Sequence, residues 1–125
     1  MIEGQETKVM SVRDAIIEAM SEEMRRDENV FLMGEDVGVY GGDFGTSVGM
    51  LEEFGSERVR DTPISENAIS GCAVGAALTG MRPIVDVTFM DFVVYMMDNI
   101  VNQAAKTRYM YGGKCSVPVV FRCAA

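Results

Sequence analysis

Two largely apolar runs, NVFLMG at 29–34 and RPIVDVTF at 82–89, constrain the fold of this chain more than any other feature. A strand with one face in water alternates apolar and polar residues, whereas a strand covered on both faces reads as a continuous hydrophobic run, the pattern of a parallel sheet between helices. The segment before the first run changes period. In SVRDAIIEAMSEEMRRD, residues Val12, Ala15, Ile16, Ala19, Met20 and Met24 recur at helical spacing, with Glu18, Glu22, Arg25 and Arg26 on the other side. Ser11, followed three residues later by Asp14, forms an approximate capping box at its start.

After the first run, glycine recurs at 34, 38, 41, 42, 45 and 49, which predicts a loop with several unusual dihedrals. MLEEFGSERV then reads as a short helix stopped by Gly55, and RVRDTP as a short extended segment ended by Pro63. Ser65 is placed to cap a further helix that contains Gly71, Ala73, Gly75, Ala76 and Ala77 and ends at Gly80. Glycine in a helix interior costs about 1 kcal/mol relative to alanine, so this composition points to close backbone packing against another helix or a ligand. DFVVYMMDNIVNQAAKTRYM reads as a second amphipathic helix, YGGK as a turn and SVPVVFR as a last strand. The order predicts an α/β fold with a mainly parallel sheet flanked by helices. The sequence stops in FRCAA, directly after a strand, where such a domain ordinarily continues into a covering helix. The expectation is therefore a truncated domain: a tail over 1–9 and the N-terminal part of one α/β domain over 10–125.

Composition limits the partners. At 125 residues the chain has room for one compact core, and 48% hydrophobic with 24% charged residues is ordinary for a globular domain. A net charge of −8 repels nucleic acid and anionic membrane, so neither is expected as a partner. The apolar stretches are too short to span a bilayer and the first residues carry no export pattern. Three cysteines, Cys72, Cys115 and Cys123, show no paired spacing and read as reduced, mostly buried thiols of a cytoplasmic protein. The 11 methionines read chiefly as core fillers.

Histidine is absent, which removes the commonest general base and metal ligand and leaves acid–base chemistry to carboxylates. No metal constellation is visible, and neither the glycine loop nor GGKC at 112–115 has the form of a phosphate-binding motif. Two acidic positions stand out. GED at 34–36 sets Glu35 and Asp36 at the carboxyl end of a predicted strand, where ligands of open α/β sheets bind, although a solvated turn explains it equally. Glu66 heads the helix of small residues, where complementing the helix dipole is by itself a sufficient role.

The motifs GEDVGVYGG, FGSERVRDTPISE, GAALTGMRPIVDV, DFVVYMMDNIVNQAAKTRYMYGGK and VPVVFR, in this order, resemble the N-terminal part of the β chain of thiamine-diphosphate-dependent 2-oxo acid and acetoin dehydrogenases. The resemblance runs from about Met10 onward and implies a transketolase-like, pyrimidine-binding domain. It implies that Glu66, in the PISE motif, contacts a ring nitrogen of thiamine diphosphate and favours the tautomer that activates the thiazolium carbon. For that task the Glu66 carboxyl should be weakened as an acid by an apolar setting. The resemblance further implies that Ile64 lines the pyrimidine pocket, that Phe92 stacks on the ring, and that Glu35 and Asp98 join a proton path between paired active sites. The Val119 carbonyl falls where some members hold potassium. Each position also has a plainer reading: core packing for Ile64 and Phe92, a helix-face salt bridge for Asp98.

The family's magnesium and diphosphate motif is missing from this sequence, which fits its location on a separate α chain, as do the family's catalytic histidines there or downstream. The implied working unit is a heterotetramer with cofactor at the α/β junctions, into which faces such as FVVYMMDNIV are buried. The implied reaction is oxidative decarboxylation of a 2-oxo acid, pyruvate preferred, with acyl transfer to the lipoyl acyltransferase of a multienzyme complex. Acetoin cleavage is the alternative, and the isolated chain is expected to be inactive. From other classes, a non-catalytic oligomerisation module and a nucleotide-binding module remain as competing readings.

Overall fold

The computed structural model describes residues 8–125, so most of the tail expected over 1–9 lies outside the described residues. A helix α1 (Val12–Arg26) leads into strand β1 (Val30–Gly34), and a short helix α2 (Met50–Phe54) precedes β2 (Val59–Asp61). Helix α3 (Glu66–Leu78) is followed by β3 (Arg82–Phe89) and then by a helical stretch that ends in α4 (Ala105–Met110), before β4 (Val120–Ala124). The four strands form one sheet in the order β2-β1-β3-β4, and every pairing is parallel. The expected α/β architecture is what the chain adopts.

Alternation along the strands explains why the runs are continuous. Val30 and Leu32 of β1, with Val59 and Ile84, face a cluster containing Met20 and Met24 of α1 and Met50 of α2. Phe31 and Met33, with Val85 and Val87, face Ile69 and Ala73 of α3 and Met96 beyond β3. Each strand thus supplies both faces of a sheet packed between helical layers. Burying a side chain such as Leu32, which is wholly inaccessible, contributes about 1.5–3 kcal/mol. Arg58 ties the exit of α1 to the sheet by donating to the carbonyls of Met24, Asp27 and Val30.

The local readings at helix termini hold in part. Ser11 caps α1, its hydroxyl accepting from the Asp14 amide at 3.1 Å. Ser65 stands at the N-cap of α3 but its hydroxyl makes no capping bond, because the backbone there is not in the usual capping conformation. The apolar stripe of α1 is fully buried only at Met20 and Met24; Ile16 packs partly buried against the same cluster, and Val12 is exposed. Of the small-residue positions in α3, Gly71 lies against the Asn99 side chain, whereas Gly75 has open space in front of it.

Residues 90–110 are not the single α-helix expected. Met90–Met96 is a 3₁₀-helix and Asp98–Ala104 a π-helix, with only Ala105–Met110 α-helical. The β-branched Val93, Val94, Ile100 and Val101 weaken the α preference of the stretch. Asn99 also turns back to donate to Asn67 and to the Ser70 hydroxyl of α3, fixing the wide turn. The last strand lies at 120–124 rather than over SVPVVFR, because its register is set by pairing of Ile84 with Val120. The cysteines are unpaired but not mostly buried: Cys72 is exposed and Cys115 and Cys123 are half-buried.

Candidate functional site

The site is built at the carboxyl ends of β1 and β2. Gly34, the last residue of β1, is flush against β3: a Cβ there would meet the Asp86 carbonyl oxygen at 2.4 Å. Glu35 leaves the sheet from this point, and Asp36 follows in the left-handed region with φ of 53°. From the neighbouring strand, the Thr62 amide donates to the Gly34 carbonyl at 2.9 Å, so the PIS segment runs beside Glu35 and delivers Glu66 as the first residue of α3. Two adjacent parallel strands thereby bring Glu35 and Glu66 together.

Burial pushes the Glu35 carboxyl above the ordinary glutamate range, and the negative charges of Glu66, Asp43 and Asp36 push it the same way, against a smaller opposing pull from the Ser65 amide. Its Oε1 atom is buried with no hydrogen-bond partner among the described residues, and so is the Thr62 hydroxyl. Buried polar atoms are rarely left without partners, so two of them at one pair of strand exits mark a place made for groups that this chain does not supply. Two carboxyl groups on neighbouring strand exits, one of them weakened as an acid by burial, can share a proton with a weakly basic ligand.

Ile64, immediately before this turn, is 82% exposed, and its side chain has no core role in the chain alone. Phe92 is 39% exposed in the 3₁₀ segment that packs on α3. Asp98 is exposed and accepts from the Asn102 amide at 2.7 Å rather than forming a salt bridge, and no hydrogen bond among the described residues links it to Glu35. Val119 is half-buried at the approach to β4, packed against the α3-side core.

A second polar cluster escapes reading from sequence. Asp86 of β3 is buried and ion-pairs with Arg122 of β4, and Arg122 also donates to the Thr46 hydroxyl of the glycine loop. Burial outweighs the pull of Arg122 and raises the Asp86 carboxyl. The one signal in the sequence is an aspartate inside an otherwise apolar run, PIVDV. The loop is fastened at two further points: the Gly38 amide donates to Asp61 at 2.6 Å, and the Ser47 hydroxyl to the Val37 carbonyl at 2.7 Å. Among the described residues no group of three or more carboxylates or cysteines is arranged to hold a metal ion, and no helix is long and apolar enough to cross a membrane.

Comparison with known proteins shows the family. Residues 8–125 match the family described as transketolase, pyrimidine-binding domain. The β subunit of the pyruvate dehydrogenase E1 component of Rhizobium meliloti (strain 1021) is 50% identical over 119 residues, 95% of this chain and 26% of that protein. The 2-oxoisovalerate dehydrogenase β subunit of Bacillus subtilis (strain 168) is 51% identical over 91% of this chain and 35% of its own length. The β subunit of acetoin:2,6-dichlorophenolindophenol oxidoreductase from the same organism is 47% identical over 92% of this chain and 37% of that protein. The chain therefore spans between about a quarter and somewhat over a third of the relatives it matches. A solved split-gene transketolase, an inactive β4 tetramer, shares the fold with a TM-score of 0.65 at 18% identity, over 91% of this chain and 34% of that one. The chain belongs to the transketolase pyrimidine-binding domain family, and relatives at about 50% identity are dehydrogenase β subunits.

Proposed function

We propose that this chain is the pyrimidine-binding part of a β subunit that carries out thiamine-diphosphate-dependent oxidative decarboxylation of a 2-oxo acid, pyruvate preferred, with acyl transfer to a lipoyl carrier. The observation that carries the reading is the placing of Glu66 beside a half-buried Glu35 whose buried Oε1 lacks a partner among the described residues, in a chain about 50% identical to pyruvate dehydrogenase β subunits. These residues fit the cofactor's aminopyrimidine: the ring presents both donors and a weakly basic nitrogen, which an acid pair of this kind can satisfy. When bound, the cofactor supplies the electron sink that decarboxylation of a 2-oxo acid requires.

In this reading Glu66 holds the ring nitrogen and the proton shared with it, and Glu35 beside it joins the proton path between paired active sites. Ile64 and Phe92 flank the ring as apolar walls that exclude water. Asp98 belongs to the proton path only together with groups outside this chain. Residues 10–125 form the N-terminal part of the domain, and the isolated chain is inactive. Magnesium sits on the partner α subunit in a heterotetramer, the Val119 carbonyl is one ligand of a potassium ion, and the lipoyl acyltransferase takes the acyl group. The exposed apolar residues of the 3₁₀ and π segments, Val94, Tyr95 and Val101, and Met97 between them, are covered in that assembly. The location is cytoplasmic.

Acetoin is the second substrate reading, favoured by the 47% identity to the acetoin oxidoreductase β subunit. The test is reduction of an artificial electron acceptor by the full-length β chain assembled with its α chain, given thiamine diphosphate, magnesium and either pyruvate, 2-oxoisovalerate or acetoin. Pyruvate giving the highest kcat/KM supports the first reading; acetoin doing so replaces it.

A further inference from the structure

The 3₁₀ geometry has an effect on side-chain alignment that an α-helix would not. With three residues per turn, positions i and i+3 eclipse, so Phe92 and Tyr95 fall in one row, and Phe89, the last residue of β3, stands at its head. Phe92 and Tyr95 are stacked, with centroids 6.5 Å apart and planes at 30°, and Phe89 meets Phe92 edge-on at 6.1 Å. The row is continued by Phe44 of the glycine loop, which meets Phe89 edge-on at 5.6 Å. Phe44 stands two residues before Thr46, which is buried and held by the Arg122 that pairs with Asp86. A buried ion pair of this kind adds little net stability, and one attested use is to fix a geometry.

We infer that Phe44 and Phe89 are positioning residues for Phe92, and that the Asp86–Arg122–Thr46 cluster sets the loop so that Phe44 can act in this way. The inference rests on the proposed function, in which Phe92 stacks on the cofactor ring. Phe44, Phe89 and Phe92 are 48%, 46% and 39% exposed, so the core encloses none of the three fully and each leans on its neighbours in the row. Edge-to-face pairs direct the positive edge of one ring at the face of the next, which restricts the rotation of Phe92 without touching the ligand.

The test uses the full-length β chain assembled with its α chain and compares Phe44→Ala, Phe44→Tyr and Thr46→Val with the unaltered protein. The expected result is that Phe44→Ala and Thr46→Val raise both the Kd and the KM for thiamine diphosphate about 2- to 12-fold, the change to which loss of one aromatic pair converts. At saturating cofactor kcat is unchanged in both, Tm moves little in Phe44→Ala whereas Thr46→Val melts lower because Arg122 loses a buried partner, and Phe44→Tyr restores the unaltered Kd. Thr46→Val also speeds amide exchange in residues 38–48, a readout independent of activity. If Phe44→Ala binds cofactor as the unaltered assembly does, or if it loses kcat and Tm in step with affinity, the inference is overturned. If the unaltered assembly binds no thiamine diphosphate, the functional reading falls and takes this inference with it.

Discussion

Replacing the Asp86–Arg122 pair separates two roles that a buried salt bridge can have. Asp86 and Arg122 side chains are 10% and 18% exposed, so neither charge is well hydrated. Asp86→Val leaves the guanidinium paired only with the Thr46 hydroxyl, and its Nε atom already lacks a partner. Removing one member of such a pair costs about 3–5 kcal/mol, and the residual exposure of Arg122 places the expected loss at the lower end. For a domain of this size 1 kcal/mol shifts Tm by about 4 °C, so the single variant should melt about 12 °C lower. The double variant Asp86→Val/Arg122→Met should return to within about 4 °C of the original, because no unpaired charge is left buried. Thermal unfolding followed by circular dichroism on the parent, Asp86→Val, Arg122→Met and the double variant gives the cycle. A single variant as stable as the parent, or a double variant no better than the single, would refute the reasoning.

Three further substitutions follow from the same geometry. Glu35 has a raised carboxyl pKa, so its stabilising contribution is fully present below the ordinary glutamate value of 4.5 and is lost as pH rises through the raised one. Glu35→Gln should therefore resist urea better than the parent at neutral pH and match it at pH about 4, as read from the midpoints. Gly34→Ala drives a methyl into the Asp86 carbonyl and should lose about 1–3 kcal/mol in the same unfolding assay. Gly75→Ala meets open space on an exposed helix face and should gain about 0.5–1 kcal/mol; a loss there would mean that something packs on that face.

What was legible in the sequence had a short-range physical cause. The runs 29–34 and 82–89 could only be covered strands, and both are. Gly55 stops α2 with φ of 76° and Gly80 ends α3 with φ of 100°, conformations that glycine adopts freely. What was not legible depends on partners distant in sequence. The 3₁₀ and π segments follow from docking on α3, through Asn99 reaching Asn67 and Ser70, and no periodicity in 90–104 announces that. The pairing of Asp86 with Arg122 needs the β3–β4 register, which a lone aspartate in an apolar run signals without naming its partner. At the site, the residues proposed for it divide in the same way. Glu35 and Glu66 meet because two parallel strands end side by side, whereas Ile64 and Asp98 remain on the surface of this chain.

The central claim is that Glu66 holds the pyrimidine ring of thiamine diphosphate. Its most direct test is calorimetric titration of thiamine diphosphate with magnesium into the full-length β chain assembled with its α chain, beside the same assembly carrying Glu66→Ala. The account predicts saturable binding on the order of micromolar by the parent, and loss of 2-oxo acid turnover in the variant although its subunits still assemble. A correctly assembled parent that binds no cofactor, or a Glu66→Ala assembly that binds and turns over as the parent does, would contradict it.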